Sequence, residues 1–390
     1  MADKIFKASR LATLLLLLAL IAWVELKQPP PFFRLLSFVF GFLWVACLAS
    51  LARGRSRDLL AMLASLGFGL CVLEMAATLL EPKTVLNVSA GWSDYEPVLG
   101  WGASKPGTYH ATSVDAKTGA IIYSVDYTFD ANLLRQTISA RSGRPIVFFG
   151  DSFTFGFGLN DDDTMPQAFA DLLQRKQRVL NLGNGGFGPQ QFLRTLETGF
   201  RDGVIGPDPK LFIYTALPSH AERAACKSPW ALNAPRYALE NGALAFKGPC
   251  YEGWRLQAEH FFLNTAAYRY FIEPYRRRIS REDVELFVRE LAAAVNLAKE
   301  KYHVDTLILY VRSPGELSNA GVTDDEMMRR LGDAGAMVVD ASLQKEQAEG
   351  APIRIPGDGH PTPLANRLSA ELIKAYIAQH MSGVLLSQLE

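Results

Sequence analysis

The sequence predicts an α/β protein, a parallel sheet covered by helices on both faces, joined at its N-terminus to a helical membrane region. Two observations carry this. From Arg144 onward, short apolar runs rich in strand formers alternate with stretches of helical spacing, and alternating β and α units imply a parallel sheet with helices packed on each side. Before that, the first 80 residues contain three apolar runs, at 11–24, 35–52 and 59–80.

A span needs about 20 apolar residues, within a range of roughly 17 to 25. The second and third runs meet this. The first is short, and its basic start (Lys4, Lys7, Arg10) looks like a signal peptide. No small-x-small cleavage site precedes Lys27-Gln28-Pro29-Pro30-Pro31, so it reads as an uncleaved span. Three basic residues precede the first run and three lie in the Arg53-Gly54-Arg55-Ser56-Arg57 hinge, while only Lys27 and Arg34 flank the other loop. The positive-inside rule then places the N-terminus and the hinge in the cytoplasm and everything beyond Leu80 outside. Glu74 falls within the third run, about two turns from its outer end. Such a carboxylate is either functional or, as expected here, snorkels or pairs with a neighbouring helix.

Formal charge balances at 40 basic and 40 acidic residues. The residues beyond Asp58 are mildly acidic, with 32 basic and 37 acidic side chains. With no basic stripe, this argues against nucleic acid as a partner. Cys47 and Cys71 fall in the spans. Cys226 and Cys250 are the only pair beyond them, and outside the cytoplasm they are expected to form a disulfide closing a loop of about 24 residues, worth about 3 kcal/mol. Two separate buried thiols are the plainer alternative. No metal site is expected, because no His or second Cys stands at ligand spacing.

Residues 81–143 carry turn signals at 97–102 and 105–107 and strand-forming sequence at 120–129. They read as a β-rich lead-in without chemical residues. The main domain, 144–390, then predicts a buried strand at 146–149, a helix at 164–175, a strand at 178–182 and a helix at 189–200 with Pro at its first turn. Strand 211–216, helix 281–302, strands 306–311 and 336–339, and a helix from about 363 to 379 capped by Thr362 complete it. An insertion at about 220–280 interrupts the rhythm. It holds the cysteine pair and Trp230, Tyr237, Tyr251, Trp254, Phe261 and Phe262, which serve either substrate contact or the insertion's own core.

Three places on this framework could carry chemistry. Gly150-Asp151-Ser152 ends the first buried strand, at the sheet edge where open α/β sheets place their sites. Taken alone, it reads more readily as a strand end with a turn serine. Asn181-Leu182-Gly183-Asn184-Gly185-Gly186-Phe187-Gly188 follows the second strand and matches G-x-G-x-x-G. A dinucleotide site would call for an acid ending the next strand, and that strand ends Tyr214-Thr215-Ala216. These glycines fit better as a loop whose N–H groups face a reacting oxygen. Gly357-Asp358-Gly359-His360-Pro361 precedes the last helix. A serine near neutral pH needs a base, and the base needs a carboxylate to hold its tautomer.

G-D-S after the first strand, N-x-G-x-x-G after the second and D-x-H-P before the last helix together resemble the SGNH (GDSL) hydrolases, over roughly residues 144–379. The resemblance implies a three-layer α/β/α sandwich, with Ser152 as nucleophile, His360 as base, Asp358 as its orienting acid, and Ser152 and Gly186 N–H groups as oxyanion donors. Two departures stand out. The family commonly supplies an Asn in a G-x-N-D block after the third strand, where this chain reads Thr215-Ala216-Leu217-Pro218-Ser219-His220. Asn184 or His220 could replace it, although for His220 a structural hydrogen bond with Arg223 is expected. The family's acid also stands three residues before the His, where Gly357 lies here. Asp358 resembles the variant of SGNH-like enzymes that modify bacterial polysaccharides with acyl groups.

The expected protein is an outward-facing, membrane-anchored serine esterase without a cofactor. Its substrate would be acylated cell-envelope carbohydrate or glycolipid, and a membrane partner in polysaccharide modification is conceivable. An O-acyltransferase using the same three residues is one alternative. A non-catalytic polysaccharide-binding or scaffold protein, favoured by the missing Asn, is another.

Overall fold

The computed structural model describes residues 2–28, 32–82 and 84–385, so the proline run at 29–31 lies outside the described residues. The chain forms two compact units, Met1–Pro82 with Gly253–Arg276, and Lys83–Glu252 with Arg277–Glu390.

The first unit begins with α1 (Ala2–Lys27), α2 (Phe33–Leu51) and α3 (Arg55–Leu80). Leu, Ala and Phe dominate them and no proline interrupts, which favours uninterrupted helix. Each is long and apolar enough to cross a membrane, over Ala8–Lys27, Phe33–Leu51 and Arg55–Leu80. The first is longer than its apolar core suggests, because the flanking polar residues continue the helix. Arg34 Nη1 pairs with Glu25 at 2.9 Å across the α1–α2 turn.

The second unit opens with the lead-in: β1 (Thr84–Val88), β2 (Asp94–Glu96), β3 (Gly100–Gly102), β4 (Gly107–Asp115) and β5 (Ile121–Phe129). Strands β1-β4-β5 form an antiparallel sheet and β2-β3 a two-stranded ladder. The turn expected at 97–102 is thus partly strand, with Trp101 opposite Tyr95. The buried face of β4 and β5, including Tyr109, Tyr123, Tyr127 and Phe129, packs on Phe155 of the main domain.

Five parallel strands follow: β6 (Ile146–Phe149), β7 (Val179–Asn181), β8 (Leu211–Ala216), β11 (Thr306–Tyr310) and β12 (Met337–Asp340), ordered β12-β11-β8-β6-β7. In order of appearance this is the 2-1-3-4-5 arrangement of a doubly wound sheet, with its switch point beside β6. Between them come α4 (Ser152–Phe155), α5 (Met165–Leu172), α6 (Pro189–Thr198), α7 (Asp202–Ile205) and α8 (His220–Ala224). Strands β6, β8 and β11 are buried throughout, as their unbroken apolar runs predict. Side chains alternate between two cores. Val147, Phe149, Phe212 and Ile308 face one helix layer with Leu193 and Leu291. Ile146, Phe148, Ile213 and Leu309 face the other with Phe169 and Ile373.

The predicted insertion divides between the two units. In the second unit, the expected disulfide Cys226–Cys250 is formed, with Cα atoms 5.5 Å apart. There β9 (Pro235–Glu240) and β10 (Ala243–Pro249) make a hairpin across Asn241-Gly242, both at positive φ (52° and 83°), the pairing a tight two-residue turn requires. By contrast α9 (Gly253–Leu263), α10 (Ala266–Phe271) and α11 (Glu273–Arg276) belong with the apolar helices. Buried Glu74 accepts hydrogen bonds from the N–H groups of Ala266 and Ala267, at 2.8 and 2.9 Å. It therefore pairs with a neighbouring helix, through that helix's first amides, and does not snorkel. The second unit ends with α12 (Arg281–Tyr302), capped by Ser280, α13 (Asp324–Asp333), α14 (Gln344–Ala348), α15 (Pro363–His380), capped by Thr362, and the short α16 (Ser382–Leu385).

Candidate active site

Strand β6 delivers Ser152 to the carboxyl edge of the sheet. Asp151 caps α4 by accepting from Phe153 N–H, which fixes Ser152 at the first helical position. The opposing loop is a narrow hairpin: Ile355 N–H donates to the His360 carbonyl at 2.8 Å, and Gly359 N–H donates to Ile355 at 2.9 Å. Gly357 sits at φ 78° within it. Only glycine adopts that conformation readily, so this loop brings its acid in at Asp358.

His360 Nε2 lies 2.9 Å from Ser152 Oγ. On the other side of the ring, Nδ1 is hydrogen-bonded to Asp358 Oδ1, which also accepts the His360 backbone N–H at 3.1 Å. Burial alone would raise the Asp358 carboxyl. The hydrogen bond and charge of His360 outweigh it, and its pKa lies below the ordinary carboxylate value. Phe157 and Phe153 flank the imidazole at ring separations of 5.0 and 5.8 Å.

The glycine loop is tied to α4. Asn181 Nδ2 donates to the Thr154 carbonyl and Gly183 N–H donates to Asn181, each at 3.0 Å. Gly183 packs so closely that a Cβ there would stand 2.6 Å from Phe155 N. Gly186 has φ 81°, and a Cβ on it would meet Trp230 Nε1 at 2.6 Å. Among the described residues neither Ser152 N–H nor Gly186 N–H donates to a backbone carbonyl. Two indoles orient this loop: Trp101 Nε1 donates to the Gly185 carbonyl at 2.9 Å and Trp230 Nε1 to the Gly186 carbonyl at 3.1 Å. With those carbonyls held, the intervening amides are held too. Sequence reasoning missed both. Trp101 stood in a segment read as free of chemistry, and Trp230 was one of several aromatics with nothing to single it out.

Asn184 lines a cavity beside this loop with Gly150, Leu182 and Gln191, and no hydrogen bond joins its side chain to Ser152 among the described residues. His220 and Arg223 lie behind Ser152, around Asp151. Arg223 Nη1 donates to Asp151 Oδ2 at 2.8 Å and to the Phe187 carbonyl at 2.6 Å. His220 Nδ1 meets Tyr214 Oη at 2.8 Å, and its Nε2 is 3.3 Å from Asp151 Oδ2, without hydrogen-bond alignment. The partner expected for His220 is therefore corrected: Tyr214 holds it, and among the described residues no side-chain hydrogen bond joins His220 to Arg223, which both approach Asp151. Full burial lowers the pKa of His220, with the Arg223 charge adding to the effect and Asp151 opposing it. It also shuts His220 away from substrate. For Asp151, burial works toward a raised pKa, but the Arg223 charge and His220 dominate and lower it.

No family model matches the chain, and no curated protein matches it. Similar solved structures include a member of the lipolytic protein G-D-S-L family from Veillonella parvula DSM 2008, 13% identical with a TM-score of 0.37, covering 62% of this chain and 99% of that one. The psychrotrophic esterase EstA from Pseudoalteromonas sp. is 12% identical with a TM-score of 0.37, covering 62% of this chain and 100% of its own. A carbohydrate acetylesterase family member from Sinorhizobium meliloti is 11% identical with a TM-score of 0.32, covering 61% of this chain and 98% of its own.

Proposed function

We propose that the protein is a membrane-anchored serine esterase of the SGNH type, cleaving O-acyl esters through an acyl-enzyme on Ser152. The supporting observation is the unbroken path Ser152 Oγ, His360 Nε2, His360 Nδ1, Asp358, drawn from chain positions 208 residues apart. A carboxylate on Nδ1 keeps the proton there and leaves Nε2 free to accept. Ser152 Oγ attacks the ester carbonyl as its proton passes to His360 Nε2. The carbonyl oxygen takes up negative charge against the N–H groups of Ser152 and Gly186, with Asn184 as the third donor in place of the absent Asn. Collapse breaks the ester C–O bond, and the departing alkoxide takes the proton from His360. Water, deprotonated by His360, then releases the acid and restores Ser152.

The three apolar helices support anchoring, and the distribution of basic residues supports an outward-facing catalytic unit. That location favours cell-envelope polysaccharide or glycolipid as the carrier of the acyl group. A second reading is transfer of the acyl group to a sugar hydroxyl. It is favoured by the confined site: Ser152 is 8% exposed and two phenylalanines flank its base, which limits competing water.

The purified protein is expected to release p-nitrophenol from its acetate ester and to be labelled on Ser152 by an organophosphate probe. Ser152→Ala should lose activity on the order of 10⁴-fold or more. Equal rates in the two proteins would reject catalysis and favour a binding or scaffold role. Acetylated sugar accumulating faster than free acetate would select the transferase.

A further inference from the structure

The α9–α10 segment has an outward surface that a soluble insertion would not carry. Trp254 is 76% exposed and Ile272 51%, and Phe262, Tyr270 and Phe271 are exposed as well. Exposed apolar residues clustered on one short segment mark a surface with a partner.

The inner side of the same segment is fastened to one end of the apolar helices. Glu74 takes the first amides of α10. Arg269 forms a two-pronged ion pair with Glu81, at 2.6 and 2.8 Å. The Phe261 ring lies 4.6 Å from the Arg34 guanidinium and 6.4 Å from the Phe38 ring. Arg34 and Phe38 open α2, and Glu81 follows α3, so every attachment is at the end opposite the Arg53–Arg57 hinge.

Depth follows from helix geometry. Glu74 is six residues before Leu80, the last residue of α3, or about 9 Å along the axis. Interfacial helices bury their apolar face about 5–10 Å into the headgroup–acyl boundary, the level at which Trp and Tyr collect. The buried carboxylate at that depth is satisfied by α10 itself, which removes the cost of carrying it there.

We propose that α9 and α10 form a membrane-interface element, whose exposed aromatic and aliphatic side chains occupy the headgroup–acyl boundary of the bilayer that α1–α3 cross. The inference rests on those helices spanning. The catalytic unit would then be tied to the bilayer by the chain at Lys83 and again on either side of this element, at Glu252 and Arg277, which suits an enzyme whose acylated substrate is itself held in or near a membrane.

The test uses the full-length protein in phosphatidylcholine vesicles, with Cys47→Ala and Cys71→Ala. One cysteine is introduced by Phe271→Cys or, separately, Trp254→Cys, and labelled with an environment-sensitive fluorophore. Leu66→Cys in the middle of α3 reports on the spans. The labels at 271 and 254 are expected to lose more than half their emission to a nitroxide near the lipid headgroup, and little to aqueous iodide. The label at 66 should respond to a nitroxide deep on the acyl chain. Iodide quenching at both 271 and 254, with lipid quenching at 66, would overturn the interface element and leave the spans standing. Iodide quenching at all three would overturn both. Strongest quenching of 271 and 254 by the deep nitroxide would overturn the interfacial placement.

Discussion

Asp358 accepts from both the ring and the backbone N–H of His360, so its loss should alter the direction of the base as well as its charge. Asp358→Asn is expected to lower kcat about 10³- to 10⁴-fold while the protein stays folded, because an amide at Nδ1 permits the wrong tautomer. The sign of its pH effect is set by its depressed pKa. The contribution of this carboxylate is complete above the unfolded carboxylate range, about 3.9, and is lost only as pH falls through the lower folded value. An acid limb in kcat near neutrality would therefore not come from Asp358. Gly186→Ala meets two obstacles, a positive φ and the Trp230 indole where its Cβ must go. It should cost about 10²- to 10³-fold in kcat, the range for a lost oxyanion donor, with KM for the nitrophenyl ester changed far less. Trp101→Phe removes one neutral hydrogen bond to the same loop. A loss of only about 2- to 10-fold is expected, in line with the net worth of such a bond.

Helix α12 is legible from its amphipathic spacing, yet it carries a feature that spacing conceals. Glu290 is completely buried on it, and no hydrogen bond reaches either carboxylate oxygen among the described residues. Burial, with Glu197 nearby, raises its pKa well above the ordinary value, so the folded protein binds a proton there more tightly than the unfolded chain does. Stability from this group falls as pH rises from about 4.3 toward the folded value. Glu290→Met should raise the thermal midpoint, and by more at pH 8 than at pH 5. A midpoint gain independent of pH would show that Glu290 is ionised in the fold. The β9–β10 hairpin went unread within the insertion, although Asn-Gly between strand formers is a strong local signal. The lead-in strand β3 left no such signal, because three residues around a glycine-rich turn pair only when β2 is alongside.

At the scale of the whole molecule, the Cys226–Cys250 bridge closes a loop of 24 residues. Cys226→Ser with Cys250→Ser should lower stability by about 3 kcal/mol through the reopened loop, seen as a fall of roughly 6–12 °C in thermal midpoint. An unchanged midpoint would mean that the packing of α8 and the β9–β10 hairpin holds this region without the bridge. The bridged part of the insertion belongs to the second unit, and the unbridged part from Gly253 to Arg276 to the first.

Periodicity and spacing in one dimension were enough for the parallel sheet, the apolar helices, the cysteine pair and the three stretches that bear Ser152, Gly186 and His360. Those features depend on local composition or on a strand's burial from both sides, and both leave a trace in residue order. Partnerships between distant parts of the chain leave none. That Asp358 and Ser152 face opposite nitrogens of one imidazole, that Trp101 and Trp230 hold the glycine loop, that His220 turns to Tyr214, and that Glu74 receives the amides of α10 all depend on where the backbone carries each group. Hydrogen bonds select partners within about 3 Å, and no pattern along the chain encodes a distance across it.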